Sequence, residues 1–251
     1  MKDLASLINL TQCPRLIEKY KGIVALPLDL PKFELDDSIA FWQIWNEEVV
    51  PVARQHIDRG ALGKDNPSMS FTQWDGLALY EDATLISKAA WNTQISQRLA
   101  NSQPNYIAAI KDLLPFKRVR SIRLWSANRT VAPHYDGNFP ASLDGVMRFP
   151  TEIRIMLHDE NPAPTFWLTE ASKHQPQTEV PLDQRYYVSL PDETNAFAWN
   201  NEDYLHGADF DPQYRKILVV VKGWVDLERL EQLLDKSIKR YYNHTMRNNN
   251  D

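Results

Sequence analysis

The chain has 251 residues, 43% of them hydrophobic and 24% charged, with a formal net charge of -5 and an isoelectric point of about 5.7. This is an ordinary globular composition, long enough for one large domain, and its acidic balance argues against non-specific nucleic-acid binding. Cys13, the only cysteine, excludes an internal disulfide, and no apolar run approaches the ~20 residues of a membrane span.

Met1-Lys2-Asp3 lacks the positive start and apolar core of a secretory leader, so a protein of the reducing cytoplasm is expected. Only 8 glycines occur. Neither a dinucleotide fingerprint nor a phosphate-binding loop is present, and no GxSxG nucleophile elbow occurs either.

The first hundred or so residues read as mostly helical. Cys13-Pro14 through Tyr20 gives a weak helix. Asp37 to Arg59 gives the strongest one: Asp37 and Ser38 can cap it, and Ile39, Phe41, Trp42, Ile44, Trp45, Val49 and Val50 make a broad apolar face. Pro51 should kink or break it, and Gly60 should end it. Phe71 to Tyr80 looks extended. Ala83 to Leu99 is a second strong helix, with Leu85, Ile86, Ala89, Ile95 and Leu99 as its stripe. Pro104 to Leu114 is a third, with proline in its first turn.

After Pro115 the pattern changes. Val119–Ser126, Glu152–His158, Thr165–Leu168, Tyr186–Leu190, Ala196–Trp199 and Arg215–Trp224 are short extended runs separated by turn residues. No helical period intervenes, which argues for antiparallel strands in a jelly-roll or barrel. Val225 to Tyr242 closes the chain as a helix with Leu227, Leu230, Leu233, Leu234 and Ile238 on one side. The expected plan is a single domain: a helical annex over 1–115, a β core over 116–224, and a C-terminal helix and tail over 225–251. The tail Asn248-Asn249-Asn250-Asp251 should fray.

Alternation assigns faces. Ile153, Ile155 and Leu157 share one side of their strand, and Glu152, Arg154, Met156 and His158 the other. Arg215, Ile217, Val219 and Val221 alternate with Lys216, Leu218, Val220 and Lys222. Both faces are largely apolar, as in a central strand. An arginine on a mainly aliphatic face needs an anion to offset its desolvation. Either a bound carboxylate or an acid such as Asp209 or Asp211 would serve.

His134, Tyr135 and Asp136 follow Pro133. On a strand, residues i and i+2 point to the same side, so His134 and Asp136 can offer a nitrogen and an oxygen to one ion. His206 is available downstream as a third ligand. Two histidines and one carboxylate on one face of an octahedral ion is the arrangement of non-haem Fe(II) oxygenases. Nine residues beyond His206, Arg215 could hold a co-substrate carboxylate by a two-pronged bond. A lone HxD is commonly a surface or capping pair; the ordered set with His206 and Arg215 is what makes it specific. His56, His174 and His244 have no such company and read as surface, loop and tail. His158 stays open as a site residue. Most of the 8 tryptophans read as core, with one or two walling a pocket.

The segments Ile122-Arg123-Leu124, Ala132-Pro133-His134-Tyr135-Asp136, Glu152 to Leu157, Phe197-Ala198-Trp199-Asn200-Asn201 with His206, and Tyr214-Arg215 to Val221 together resemble a known family. It is the aspartyl/asparaginyl β-hydroxylase-like branch of the 2-oxoglutarate/Fe(II) oxygenases, which includes free amino-acid hydroxylases. The resemblance covers roughly Arg118 to Trp224. It implies a double-stranded β-helix (jelly-roll, cupin-like) flanked by α-helices. It implies His134, Asp136 and His206 as iron ligands, and Arg215 on the distal carboxylate of 2-oxoglutarate. Arg154 would be a strand arginine contacting co-substrate or substrate, and Arg123 a looser polar contact. Asp136 is retained, which disfavours the open halide position of related halogenases. Met156 stands where the family often has histidine, so that contact is missing or comes from elsewhere, such as His158.

The implied cofactors are Fe(II) and 2-oxoglutarate. The implied activity is hydroxylation, with O2, of an unactivated C–H in an amino acid or a peptidyl or carrier-linked residue, giving succinate and CO2. Arg118, Arg120, Arg129, Arg148 and Arg154 suit a substrate bearing a carboxylate; neither nucleic acid nor membrane is an expected partner. Two alternatives stay open: a non-catalytic β-sandwich binding module, and a cupin-type metal enzyme that needs no 2-oxoglutarate.

Overall fold

A computed structural model describes residues 7, 13–51, 77–82, 93–126, 131–134, 142–143, 146–147, 153–159, 166–169, 180–201, 204–209, 216–244 and 246–247. Among these, the helices are α1 (Pro14–Lys19), α2 (Ser38–Ile44), α3 (Thr93–Asn101), α4 (Pro104–Leu113) and α5 (Leu227–Arg240). The strands are β1 (Ile23–Pro27), β2 (Leu77–Glu81), β3 (Phe116–Ser126), β4 (Val131–His134), β5 (Ser142–Leu143), β6 (Val146–Met147) and β7 (Ile153–Asp159). They continue with β8 (Phe166–Thr169), β9 (Tyr186–Tyr187), β10 (Ala196–Trp199), β11 (Leu205–Ala208), β12 (Lys216–Val225) and β13 (Met246–Arg247). No helix among the described residues is long and apolar enough to cross a membrane.

The strands form a seven-stranded sheet in the order β13-β1-β10-β7-β12-β3-β2, a four-stranded sheet β4-β11-β8-β9, and the hairpin β5-β6. The described pairings are antiparallel. The molecule is thus mainly antiparallel β with helices on one side. One cluster lies between the large sheet and the helices. It joins Ile153, Ile155, Ile217, Val219 and Val221 to Leu16 of α1, Phe41 of α2, Leu99 of α3, Ile110 of α4 and Leu230 of α5. A second lies between the two sheets, joining Leu218, Val220, Phe197 and Trp199 to Phe166, Leu168, Tyr204 and Ala208. The expected faces of β7 and β12 therefore hold: one side of each strand meets the helices and the other meets the small sheet.

The N-terminal third departs from its helical expectation. β1 enters the large sheet between β13 and β10, with all five residues buried. Its apolar run is too short to show a helical period, and hydrogen-bonding neighbours on both sides make it a strand. β2 covers part of the extended run expected at Phe71 to Tyr80. The expected helix at Asp37 begins as foreseen, with Asp37 Oδ1 accepting the Ala40 N–H at 2.9 Å. It then widens into a π turn over Trp45–Val49, where the Val50 N–H reaches the Trp45 carbonyl. Pro51 has no N–H to continue the α pattern, and its ring crowds the carbonyl four residues back. Residues 52–60, including Arg59 and Gly60, lie outside the described residues, as do Leu85, Ile86 and Ala89. Ile95 and Leu99 of that stripe are buried. Tyr186–Leu190 keeps only β9 as strand.

Side chains far apart in sequence fasten the helices. Gln103 gives α4 no side-chain cap; Asp36 supplies it, accepting from the Asn105 and Tyr106 N–H groups at 2.6 and 3.1 Å. α5 is capped by Asp226, which accepts the Arg229 N–H, and buries Leu230 and Leu234. Its outer face meets α1. Glu231 accepts from Lys19 at 2.8 Å and from Arg15 Nη1 at 2.7 Å, and the Tyr20 hydroxyl donates to Asp235 at 2.9 Å. Arg15 and Lys19 hold the Glu231 carboxyl down, from 4.5 to about 2.

Two predictions test this architecture. Gly223 lies at a register shift between β12 and β3, and an added Cβ would stand 2.6 Å from the Arg118 carbonyl oxygen. Gly223→Ala should lower unfolding stability by about 1–3 kcal/mol, read from urea denaturation. The depressed Glu231 carboxyl makes its contribution above its unfolded value of 4.5 and loses it as pH falls towards 2. Glu231→Gln should therefore narrow the loss of thermal stability across that acid window and do so most at low salt; identical pH profiles for the two proteins would remove the clamp from the account.

Candidate functional site

The site is built where the small sheet faces the large one. β4 ends on His134 and β11 carries His206, and the two are direct partners in the antiparallel ladder. Cross-strand partners project to the same side of a sheet. Their imidazole rings lie 4.2 Å apart, centroid to centroid, at 53°. His206 is 2% exposed, on the strand face that also carries Ala208 against the large sheet.

The His206 ring is oriented by its own strand. Nδ1 lies 3.2 Å from the Tyr204 carbonyl oxygen. A carbonyl can only accept, so Nδ1 carries the proton in that bond and the Nε2 lone pair is turned to the other side of the ring. A backbone carbonyl fixing one nitrogen while the other faces an ion is the usual support of a ligating histidine. Two imidazoles this close put ring nitrogens within reach of a single ion with metal–nitrogen bonds of about 2 Å.

Trp199 of β10 closes the site from the large sheet. Its ring stands edge-on to His206 at 4.9 Å, and the Arg154 guanidinium lies 4.1 Å from its centroid. Arg154 is 8% exposed. Stacking on an indole offsets part of the cost of burying that charge, about 2 kcal/mol when desolvated. A row runs across the large sheet here: Arg123 on β3, Val220 on β12, Arg154 on β7 and Phe197 on β10 are successive register partners. Val220 and Phe197 face the small sheet, which puts Arg123 and Arg154 at the same side as the histidines. Arg123 is engaged by Glu81, its Nη2 donating to Oε1 at 2.5 Å.

Of the remaining expected residues, some are not described and others are engaged away from the histidines. Tyr135, Asp136, Arg215, Arg129, Arg148, Asp211, His56 and His174 lie outside the described residues. The residues that share the parity of Arg215 in the sequence, Ile217, Val219 and Val221, face the helices rather than the histidines. His158 is a β7 residue opposite Ile217. Arg118 pairs with Asp82 at 2.6 Å at the far end of β3. Asp209, read as a conceivable partner for Arg215, is engaged by Arg185 at 2.6 Å and by the Tyr187 hydroxyl at 2.5 Å. Burial, and then that bond to Asp209, push the Tyr187 phenol above its ordinary value. This cluster fastens the end of β11, three residues beyond His206, to β9. Among the described residues no group of three His, Cys, Asp or Glu side chains gathers to hold a metal; the pair His134 and His206 does meet.

Trp199, which touches both His206 and Arg154, was expected only as one of the tryptophans of which one or two could wall a pocket, and as part of the Phe197–Asn201 segment; the sequence did not say which tryptophan it would be. No family model matches the chain, and no curated protein matches it. Among solved structures the chain is similar to a non-haem monooxygenase, ThoJ in its apo form. The identity is 15%, the match covers 79% of this chain and 74% of that one, and the TM-score is 0.38.

The hydrogen bond to Tyr204 makes a prediction. In the metal-free protein above the titration range of histidine, long-range 1H–15N spectra should show His206 as the Nδ1–H tautomer. The bond to His206 uses the Tyr204 backbone carbonyl, so Tyr204→Phe should leave that pattern unchanged; an Nε2–H signal for His206 would refute the assigned orientation.

Proposed function

We propose that this protein is an Fe(II)- and 2-oxoglutarate-dependent hydroxylase, with its two facing sheets forming a double-stranded β-helix. The observation that carries the proposal is the cross-strand pair of His134 and His206 between the sheets, with His206 oriented by a backbone carbonyl. Asp136, two residues beyond His134, completes the proposed ligand set. It supplies the anionic oxygen that a hard divalent ion needs beside two neutral nitrogens.

Bound there, iron with 2-oxoglutarate and O2 would supply the oxidative decarboxylation in which one oxygen atom goes to succinate, beside CO2, and the other is inserted as hydroxyl into an unactivated C–H. The chain's own part is to bind and orient. Arg154, buried on the same side as the histidines, offers the charge that a dicarboxylate co-substrate or an amino-acid carboxylate requires. Arg215 is proposed as the second carboxylate contact. That role requires the alternation of β12 to break before Ile217, because Ile217 itself faces the helices. Trp199, Phe166 and Phe197 keep the space beside the histidines apolar, which strengthens each polar contact made in it. The proposed substrate is an amino acid, free or within a peptide or carrier-linked residue, in a cytoplasmic setting.

The test is anaerobic titration of the apo-protein with Fe(II) and 2-oxoglutarate, watched by visible absorption for the charge-transfer band of the chelate. His134→Ala, Asp136→Ala and His206→Ala should each abolish the band and succinate release while leaving the fold intact. Arg154→Ala and Arg215→Ala should raise the 2-oxoglutarate requirement by the equivalent of about 2–5 kcal/mol. A well-folded protein that gives no band would return the site to a binding module or another metal enzyme. A band unchanged in affinity by Arg215→Ala would leave Arg154 as the carboxylate contact.

A further inference from the structure

The Trp199 indole is wholly buried, and its Nε1–H has no hydrogen-bond partner among the described residues. Buried donors are almost always answered, because one left without an acceptor forfeits its hydration and gains nothing. Tyr106 has a hydroxyl in the same condition, but it lies in the cluster beneath the helices. Trp199 lies between the sheets, with the His206 ring 4.9 Å away and the Arg154 guanidinium 4.1 Å over its face.

An indole N–H donates and never accepts, so whatever answers it presents an acceptor atom. The neighbouring guanidinium, 8% exposed, selects an acceptor that carries negative charge. Phe166 and Phe197, both edge-on to the indole at 6.1 and 6.0 Å, add apolar walls. A cation or a plain hydrocarbon would leave the indole N–H unanswered.

We propose that Trp199 is a ligand-binding residue, its Nε1–H donating to a carboxylate oxygen of a bound organic acid beside Arg154. The inference deepens the hydroxylase proposal and rests on it for the source of the acid. Either the 2-oxo dicarboxylate or the carboxylate of an amino-acid substrate carries the required chemistry. Arg154, 4.1 Å from the indole centroid, supplies the charge. Trp199 supplies the direction, fixing where the acid lies relative to His206.

The experiment uses the full chain labelled with 15N-tryptophan, in which the Trp199 indole signal is the one missing from Trp199→Phe. The protein is titrated with 2-oxoglutarate, with succinate and with a panel of free amino acids, each with and without anaerobic Fe(II). The Trp199 signal should move downfield and saturate, and Trp199→Phe and Arg154→Gln should each weaken binding of the same acid about ten-fold or more. Movement with 2-oxoglutarate alone places the co-substrate there. Movement only on adding an amino acid to the 2-oxoglutarate complex places the substrate there. If Trp199→Phe fails to fold, Arg154→Gln keeps the indole, identifies its signal by displacing it, and carries the affinity comparison.

The proposal is overturned by a signal that stays still at saturating acid, by unchanged affinity in the variants, or by a panel in which no acid binds. Paramagnetic broadening of His134 and His206 by Fe(II) beside an unmoved Trp199 would overturn this subsite and leave the metal site standing. A Trp199 signal that follows an acid in protein that takes up no Fe(II) would do the reverse.

Discussion

β12 buries both of its faces at once. Ile217, Val219 and Val221 lie under the helices, while Leu218 and Val220 meet the small sheet. β3 and β7 pair with it on either side. Each such aliphatic side chain contributes about 1.5–3 kcal/mol when taken from water, and among the described strands no other alternates between the two clusters over five consecutive residues. The helices and the small sheet are therefore held to opposite sides of one element. That common reference also fixes which residues of β7 and β10 can look towards the histidines.

From this constraint the site follows in steps. Arg154 and Trp199 belong to the large sheet, and His134 and His206 to the small one. They meet because the small sheet lies against the face of β12 that carries Val220. Trp199 is the bridge, touching Arg154 on its own sheet and His206 across the gap. A buried guanidinium and a buried indole N–H beside two imidazoles form a polar enclave inside an apolar sandwich. Such groups are costly to bury, which sets this enclave apart from the apolar interior around it. The Asp209, Arg185 and Tyr187 cluster works from the outer side, holding the end of β11 so that His206 keeps its ladder position.

Much of this was legible in the sequence because it is local. Alternation identified the two faces of β7 and β12, and the apolar character of both faces marked β12 as central. The proline and cap signals located α4 and the start of α2. His134 and His206 were identifiable as a pair by residue type and order. The strand β1 was not legible: five buried residues carry no distinctive period, and their state depends on β10 and β13 being present to pair with them. The π turn in α2 required knowing how the chain accommodates Pro51. The Asp36 cap on α4 spans about seventy residues, beyond any sequence pattern.

The sequence by itself determined which residue types are available for chemistry, which strand is buried on both sides, and the antiparallel β character of the chain after Pro115. Those properties are set by side-chain type and by the two-residue period of a strand, which act over a few neighbours. The tertiary structure decided which of those residues meet. It put His206 opposite His134, turned the His206 ring through the Tyr204 carbonyl, and laid Arg154 on Trp199. It also turned Ile217, Val219 and Val221 towards the helices. Register between strands separated by dozens of residues is fixed by the packing of one sheet upon another, and no local pattern records it.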